Sequence, residues 1–553
     1  MTEPIVRTEA LGGSPLARAA MEGRLGDWYS ARPSTAQAWK ARAESIRTGV
    51  KNPGWLEAIR PAFAATGAAA ARLERVAGGR GIVVTTGQQP GLFGGPIYTW
   101  SKALSALTLA DEIEAVTGIP SAPVFWAAND DADFAEASWT AVAVPGGAER
   151  LALGPAVPVG RPMSEMPLGD PGDALAALER ACGGTVDARV LAAVREAYNP
   201  RATVGGAYLQ LLRTLFEPLG IAVLDAAHAS VSAATRPLLV RALDRASDVT
   251  SALRARDEAI VAAGFETQVI EVEGLSLVFE RSGPAGDKRR IPLAEATAAA
   301  AAAQGVLSPN VLLRPVIERA LLPTVSYVAG PGEFAYFAQV SAVANALQLD
   351  VPMVVPRWST TILEPHVTRI LSRLGIEEAE LADPHRAESR LAHDAVPGGV
   401  AQALEQLRAD VDSRSGALSA ACDDTSFPMP TAVVDGARKG LQHRLDRLER
   451  RIIAAVKRKE QDTMQQIGTA RGSLYPLGTR QERALNLLPM LARHGSVVVD
   501  RMREAARVHA RGLLGSQPSD DLPTTTNRST GRSSSTDARV AEPRSDLESA
   551  AGA

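Results

Sequence analysis

Cysteine is nearly absent from this chain: two residues in 553, Cys182 and Cys422, lie far apart and without metal-ligand spacing. That argues against a disulfide-stapled fold and against a cysteine metal site, so no metal is expected and a reducing cytoplasm is the natural compartment. Excess charge is missing too. A formal net charge of −3 speaks against a nucleic-acid binder driven by bulk electrostatics. No run of about 18 apolar residues offers a membrane span, and the opening MTEPIVRTEALGG lacks the apolar core of a signal peptide. Neither a GxxxxGK[ST] loop nor a GxGxxG after a strand occurs, so an ordinary phosphate cradle is absent. These absences leave a soluble, intracellular protein with no nucleic-acid and no membrane partner.

What is present is apolar bulk, 46% of 553 residues, enough for a large core and too much chain for one compact unit. The segment TTGQQPGLFGGPIYTWSK, residues 85–102, follows a short apolar strand, Ile82 to Val84, and leads into a helix at Pro96. Gly87, Gly91, Gly94 and Gly95 free the backbone for close approach to a ligand, and the first N–H groups of a helix favour an anion. Two glycines would mean only a tight turn; four, with Gln88, Gln89 and Lys102, read as a binding loop. Thr99 and Lys102 share one helix face. Beyond them Ile97, Trp100, Leu104, Leu107 and Ile113 trace an amphipathic stripe ending near Gly118.

A second strand, Ala122 to Trp126, runs into NDDADFAE, where Asp130, Asp131 and Asp133 follow Asn129. Carboxylates at that density repel unless a cation, an amine or hydrogen-bond donors compensate; a solvated acidic turn is the plainer alternative. Residues 145–172 read as an irregular insertion, 188–219 and 237–263 as helix, and Val269–Val272 with Leu275–Phe279 as a hairpin about Glu273 and Gly274. A short strand, Ile221 to Leu224, closes with Asp225. Then Arg314 and Pro315 precede a strand, Val325 to Ala329, that opens into GPGE, Gly330 to Glu333, followed by Tyr336 and Gln339. A last strand, Met353 to Val355, ends at Arg357, which fits equally an anion clamp and a structural ion pair. The glycine loop, the acidic turn, Asp225, GPGE and Arg357 each follow a buried strand. In open α/β sheets ligands bind outside the carboxyl ends of the strands, so these clusters read as one site.

Past residue 395 the pattern changes. Leu404, Leu407, Val411 and Leu418, and then Leu441, Leu445, Leu448 and Ile452, keep a 3–4 spacing with charges between them. An antiparallel coiled coil broken near Phe427 to Pro430 is expected, a plain amphipathic pair being the alternative. Residues 516–553, rich in Ser, Thr, Asp and Arg, read as disordered.

Taken in order, TGQQPGLFGGPIYTWSK, PVFWAANDDADFAE, LRPVIERALLPTVSYVAGPGEFAYFAQ, VPR and LYPLGTRQER resemble the bacillithiol-biosynthesis cysteine-adding enzyme family, BshC. The resemblance implies an α/β fold: a Rossmann-like parallel-sheet core over 1–395, with connecting inserts at about 145–205 and 237–300. It also implies an antiparallel coiled coil over 396–465 that makes a homodimer, and 466–515 packing back on the core. The implied reaction joins cysteine to glucosaminyl-malate, both small-molecule substrates, and yields bacillithiol. Gly87, Gln88, Gln89, Gly91, Gly95, Pro96, Tyr98, Thr99 and Lys102 match the first loop of the family, and Gly330, Gly332, Glu333, Tyr336 and Gln339 its second. Asn129, Asp130, Arg314 and Arg357 join the substrate-binding set. Asp131 or Asp133 is expected to hold the ammonium, Glu333 to act as base, and Lys102 with Arg357 to hold the anionic parts. Where the family's acidic motif usually carries histidine, this chain has Ala132. A carboxylate is a poor electrophile at neutral pH, so activation is needed, with ATP the expected source. A different nucleotidyl- or group-transferase acting on a small anionic metabolite, and a non-enzymatic dimeric scaffold, are the competing readings.

Overall fold

Ile82–Gln88 (β1), buried along all but its last residue, is the centre of a parallel sheet, and it runs further than its apolar residues alone suggested, through Thr85, Thr86 and Gly87. Its partners are Ser121–Ala127 (β2), Ala222–Asp225 (β3), Thr324–Ala329 (β4) and Val354–Pro356 (β5), in the order β5-β4-β1-β2-β3. Register places Gln88 beside Ala127 and Ala127 beside Asp225, while Ala329 lies beside Pro356. The carboxyl ends therefore finish on one side. The chain steps outward from β1 to β2 and β3, then returns to the other side of β1 with β4, so the strand order reverses between β1 and β4. That gap is where such sheets bind ligands.

The computed structural model describes residues 3–49, 53–155, 160–184, 186–281, 288–302, 305–423 and 429–515. They fall into two compact units. The sheet unit comprises 6–140, 152–360 and the chain from 487; the second comprises 141–151 and 361–486, with the first few residues of the chain. The expected tail, 516–553, and Phe427 of the expected helix break lie outside the described residues.

Ile97–Thr117 (α1) was read as amphipathic, yet it is buried nearly all round. The sheet takes one face, and Val497–Leu513 covers another, with Arg503 on Asp111 and Arg511 on Glu112. A helix enclosed on both sides needs no polar face; each fully buried leucine such as Leu104 or Leu107 contributes about 1.5–3 kcal/mol. Pro331–Ala346 is likewise interior. The helix expected over 237–263 is two, Ala229–Asp244 and Ala246–Ala262, and that over 188–219 is interrupted between Ala188–Ala197 and Val204–Phe216. No hairpin joins Val269–Val272 to the next strand. Leu275–Arg281 pairs instead with Arg289–Pro292 and Val306–Pro309, and Val269 is tied through its backbone to the Gln339 amide. The insertion expected to be irregular includes a strand, Gly147–Ala152.

In the second unit, Gly398–Cys422 and Thr431–Lys459 form an antiparallel helix pair: Arg408 reaches Asp446 and Glu449, while Arg438, earlier in the second helix, reaches Asp412, later in the first. Leu445 is buried and Leu404, Val411 and Ile452 are partly so. Leu407, Leu418, Leu441 and Leu448 are not in that seam; they lie 44–55% exposed. The leucines thus divide into an inner seam and an outer stripe, because a 3–4 spacing over several turns covers more than one side of a helix.

Candidate active site

Lys102, six residues into α1, is 4% exposed. Its Nζ donates to the Gly87 carbonyl at 2.8 Å and to Gln88 Oε1 at 2.9 Å, and pairs with Glu333 Oε2 at 2.5 Å. Burial pulls its proton affinity down, but three acceptors take three N–H groups, which only the ammonium has. Glu333, in the first turn of Pro331–Ala346, also accepts the Gly330 N–H at 2.7 Å and the Tyr327 hydroxyl at 2.6 Å. Against the opposing effect of burial, Lys102, Tyr327 and Gly330 hold the carboxyl below its usual range. Two expectations are corrected here. Lys102 has its N–H groups committed inside the protein and none left for a substrate anion. Glu333, an ionised carboxylate clamped by three donors, is a poor proton acceptor.

Arg314, its side chain 16% exposed, is the cation of this cluster that lines the cleft. It begins the helix Arg314–Leu321, places Nη1 3.2 Å from Glu318 Oε2, donates from Nη2 to the Tyr327 hydroxyl at 3.0 Å, and stands 3.9 Å from Glu333. Arg357, 4% exposed, donates to the Trp358 carbonyl at 2.9 Å and lies 6.0 Å from the centre of the Tyr98 ring. Gly330 sits among Glu333, Arg357 and Lys102, with no room to spare for a longer side chain. Gly87 is more confined still: a Cβ there would lie 2.7 Å from the Trp126 carbonyl oxygen and 3.6 Å from Arg314 Nη1. We expect Gly87→Ala to lower stability by about 1–3 kcal/mol, the usual penalty of overpacking against Trp126; an unchanged denaturation midpoint would argue that β1 and β2 can part without consequence.

The glycine loop is packed rather than hollow. Leu92 and Phe93 are each 1% exposed, Phe93 meets Tyr198 edge-on at 4.8 Å, and the Gly94 and Gly95 N–H groups are bonded to the Gly91 and Leu92 carbonyls. Gly91 is required because a Cβ would stand 2.8 Å from Gly95 Cα. What remains accessible on this loop is Gln88, Gln89 and Tyr98, with Gln88 Nε2 3.3 Å from the Tyr98 hydroxyl. Thr99 is fully buried under Gly95 and is no contact residue. Nor is Gln339, whose amide is occupied by Asp257 and Val269; Tyr336 stacks on Phe337 and its hydroxyl accepts from Arg314. Gly332 has open space around it.

The acidic turn after β2 is neutralised by donors. Asp131 accepts from Gln89 and from the Ala132 and Asp133 N–H groups. Asp133 caps Phe134–Ala137 through the Glu136 N–H, a role Asp favours. Buried Asn129 donates to Asp225 at 3.2 Å. Lys288 donates to the Asp130 carbonyl at 2.8 Å, 3.7 Å from its carboxylate. Ala132 presents only its backbone to this network. Glu136 is exposed, and crowding by the protein around it, with Asp133 and Asp131 beside it, pushes its carboxyl up. A small cleft of about 70 Å³ adjoins the turn, lined by Trp126, Asp130, Lys288 and Arg314 among others.

Glu136, Lys288 and Glu318 escaped the sequence reading. Glu136 stands three residues after a capping Asp and Glu318 four after Arg314, spacings that carry local information; Lys288 is brought in only by the fold.

A parallel sheet with its polar groups gathered at the carboxyl ends, the arginine over the end of β1 included, defines a Rossmann-like ligand-binding core, here accompanied by a helical coiled-coil unit. The family models that match describe this pairing: "Bacillithiol biosynthesis BshC, N-terminal Rossmann-like domain" over 17–279 and 287–358, and "Bacillithiol biosynthesis BshC, C-terminal coiled-coil domain" over 360–511. The chain belongs to the BshC family. A relative from Solibacter usitatus is 30% identical over 502 residues, covering 85% of this chain and 91% of the relative. Others from Symbiobacterium thermophilum (30%, 87% and 94%) and Salinibacter ruber (29%, 77% and 81%) are similar over comparable lengths. All three carry the name "Putative cysteine ligase BshC". Among the described residues no helix is long and apolar enough to cross a membrane.

Proposed function

We propose that this chain is a cysteine ligase of bacillithiol biosynthesis, joining the carboxyl of L-cysteine to the amine of glucosaminyl-malate. One observation at the site carries the reading beyond family membership. At the gap where strand order reverses, Lys102 and Arg314 are gathered against the carboxyls Glu333 and Glu318. Arg314 borders the cleft and has N–H groups beyond those given to Glu318 and Tyr327, which suits an anion. The malate carboxylates supply that anion. The acidic turn beside it suits an ammonium or amine.

In amide formation the amine nitrogen attacks the activated carbonyl carbon, the bond to the activating group breaks, and the nitrogen loses a proton. ATP would supply the activation: the cysteine carboxylate would take its adenylyl group with release of pyrophosphate, and AMP would leave as the amide forms. The acidic turn after β2, which adjoins the cleft through Asp130, is assigned the proton-accepting role in place of Glu333. The test is mass spectrometry of purified protein incubated with cysteine and glucosaminyl-malate, with and without ATP. Bacillithiol formed only with ATP supports the whole reading; none under any condition refutes it.

The outer stripe of leucines on the helix pair is read as the contact that makes a homodimer, since exposed leucines at regular spacing suit a partner helix. Replacing Leu441 and Leu448 together by glutamate is expected to give a monomer in sedimentation. A dimer that persists means the stripe is not the contact.

A further inference from the structure

We propose that Glu318 is a positioning residue: it fixes the Arg314 guanidinium over the end of β1, so that the remaining N–H groups of Arg314 meet an anionic group of the substrate. The inference rests on the anion reading above and deepens it.

Glu318 is 2% exposed, on a helix whose neighbouring Val316, Ile317 and Leu321 are all buried. A leucine would suit such a position. A carboxyl there is costly unless a partner compensates it. Among the described residues Arg314, one turn earlier and 3.2 Å away, is the cation within ion-pair distance. The contact is more than local helix pairing. Arg314 Nη2 is held from a second direction by the Tyr327 hydroxyl, which itself donates to Glu333. The planar guanidinium is thus fixed at two points in a wall of the cleft. Glu318, Tyr327 and Tyr336 each take an N–H group of the five, which leaves donors for a carboxylate.

The charge on Glu318 then matters as well as its position. Arg314 faces it from its own helix, Thr85 from β1 and Glu333 from Pro331–Ala346, with Tyr327 beyond Arg314 on β4. Burial pushes the Glu318 carboxyl up to about 7; Arg314 and Thr85 oppose that effect and Glu333 adds to it. When Glu318 is protonated, Lys102 and Arg314 face one carboxylate; once it ionises they face two. Anion affinity must fall as pH rises through the titration of Glu318.

The experiment is calorimetric binding of glucosaminyl-malate, without cysteine or ATP, to wild type, Glu318→Gln and Glu318→Ala between about pH 6 and about pH 8.5, with product formation measured separately. In wild type, Kd should rise about three- to tenfold across this range. Glu318→Gln keeps an oxygen for Arg314 Nη1 and cannot ionise, so its Kd should stay flat. Glu318→Ala should be equally flat and bind about tenfold more weakly than Glu318→Gln at every pH. A Gln variant that keeps the wild-type slope overturns the proposal, as does a wild type that does not bind. Should the alanine variant fail to fold, the slopes of wild type and Gln still decide. Wild type that binds with the stated slope but makes no bacillithiol sinks the ligase reading and leaves the role of Glu318 standing.

Discussion

Replacing Glu333 by alanine is expected to lower the stability of the sheet unit by about 3–5 kcal/mol, the range for removing one partner of a buried ion pair. The Lys102 ammonium would keep only the Gly87 carbonyl and the Gln88 amide oxygen, both uncharged, at a position 4% exposed. The Gly330 N–H would lose its acceptor at the start of Pro331–Ala346, and the Tyr327 hydroxyl would lose its own. Replacing both charges, Lys102→Met with Glu333→Leu, should restore most of the loss, since similar-sized apolar pairs often match a buried ion pair. The folded-state proton affinity of Glu333 is depressed. Its contribution is therefore present above the ordinary carboxylate pKa and is lost as pH falls through the depressed value, so the gap between wild type and Glu333→Ala should narrow in acid. Urea denaturation of the three proteins at neutral and acid pH measures this. A Glu333→Ala midpoint equal to wild type would mean that Lys102 is compensated from elsewhere.

The same pair shows what the sequence made legible. That Lys102 and Glu333 belong to the site followed from each standing just beyond a buried strand, because strand ends in a parallel sheet converge whatever lies between them. That they neutralise each other did not follow. Their pairing depends on β1 and β4 being neighbours, a fact of strand order that no local pattern encodes. For the same reason Lys288 could not be connected to Asp130, nor Val269 to Gln339. Helix faces were misjudged where a second layer covered them: the stripe on Ile97–Thr117 is real, but the far side is buried under Val497–Leu513. In the helix pair the leucine spacing revealed the helices, yet could not separate the seam that holds them together from the outer stripe, since both follow one period. The glycines were placed correctly and their purpose was not. Gly91 is there for the approach of Gly95, and Gly87 for the Trp126 carbonyl.

The largest effect on activity is expected at Arg314. Its guanidinium touches Glu318 and Tyr327 on the protein side and lines the cleft on the other, so it is the cation of the cluster that a substrate carboxylate reaches without displacing an existing ion pair. A charged hydrogen bond contributes about 1.5–3 kcal/mol, and a two-pronged one more. Arg314→Ala should therefore reduce kcat/KM roughly a hundredfold or more, chiefly through KM for glucosaminyl-malate. Some stability should go as well, because Glu318 is left buried without its cation. Arg314→Lys separates the two losses. An ammonium compensates Glu318 but cannot span two oxygens of a carboxylate while holding Tyr327, so this variant should fold like wild type and still lose about tenfold in kcat/KM, with KM for cysteine unchanged. If Arg314→Lys keeps the wild-type KM for glucosaminyl-malate, point charge alone suffices at this position. If Arg314→Ala also keeps it, the anion binds elsewhere, and the cluster at the reversal of strand order serves the fold and not the substrate.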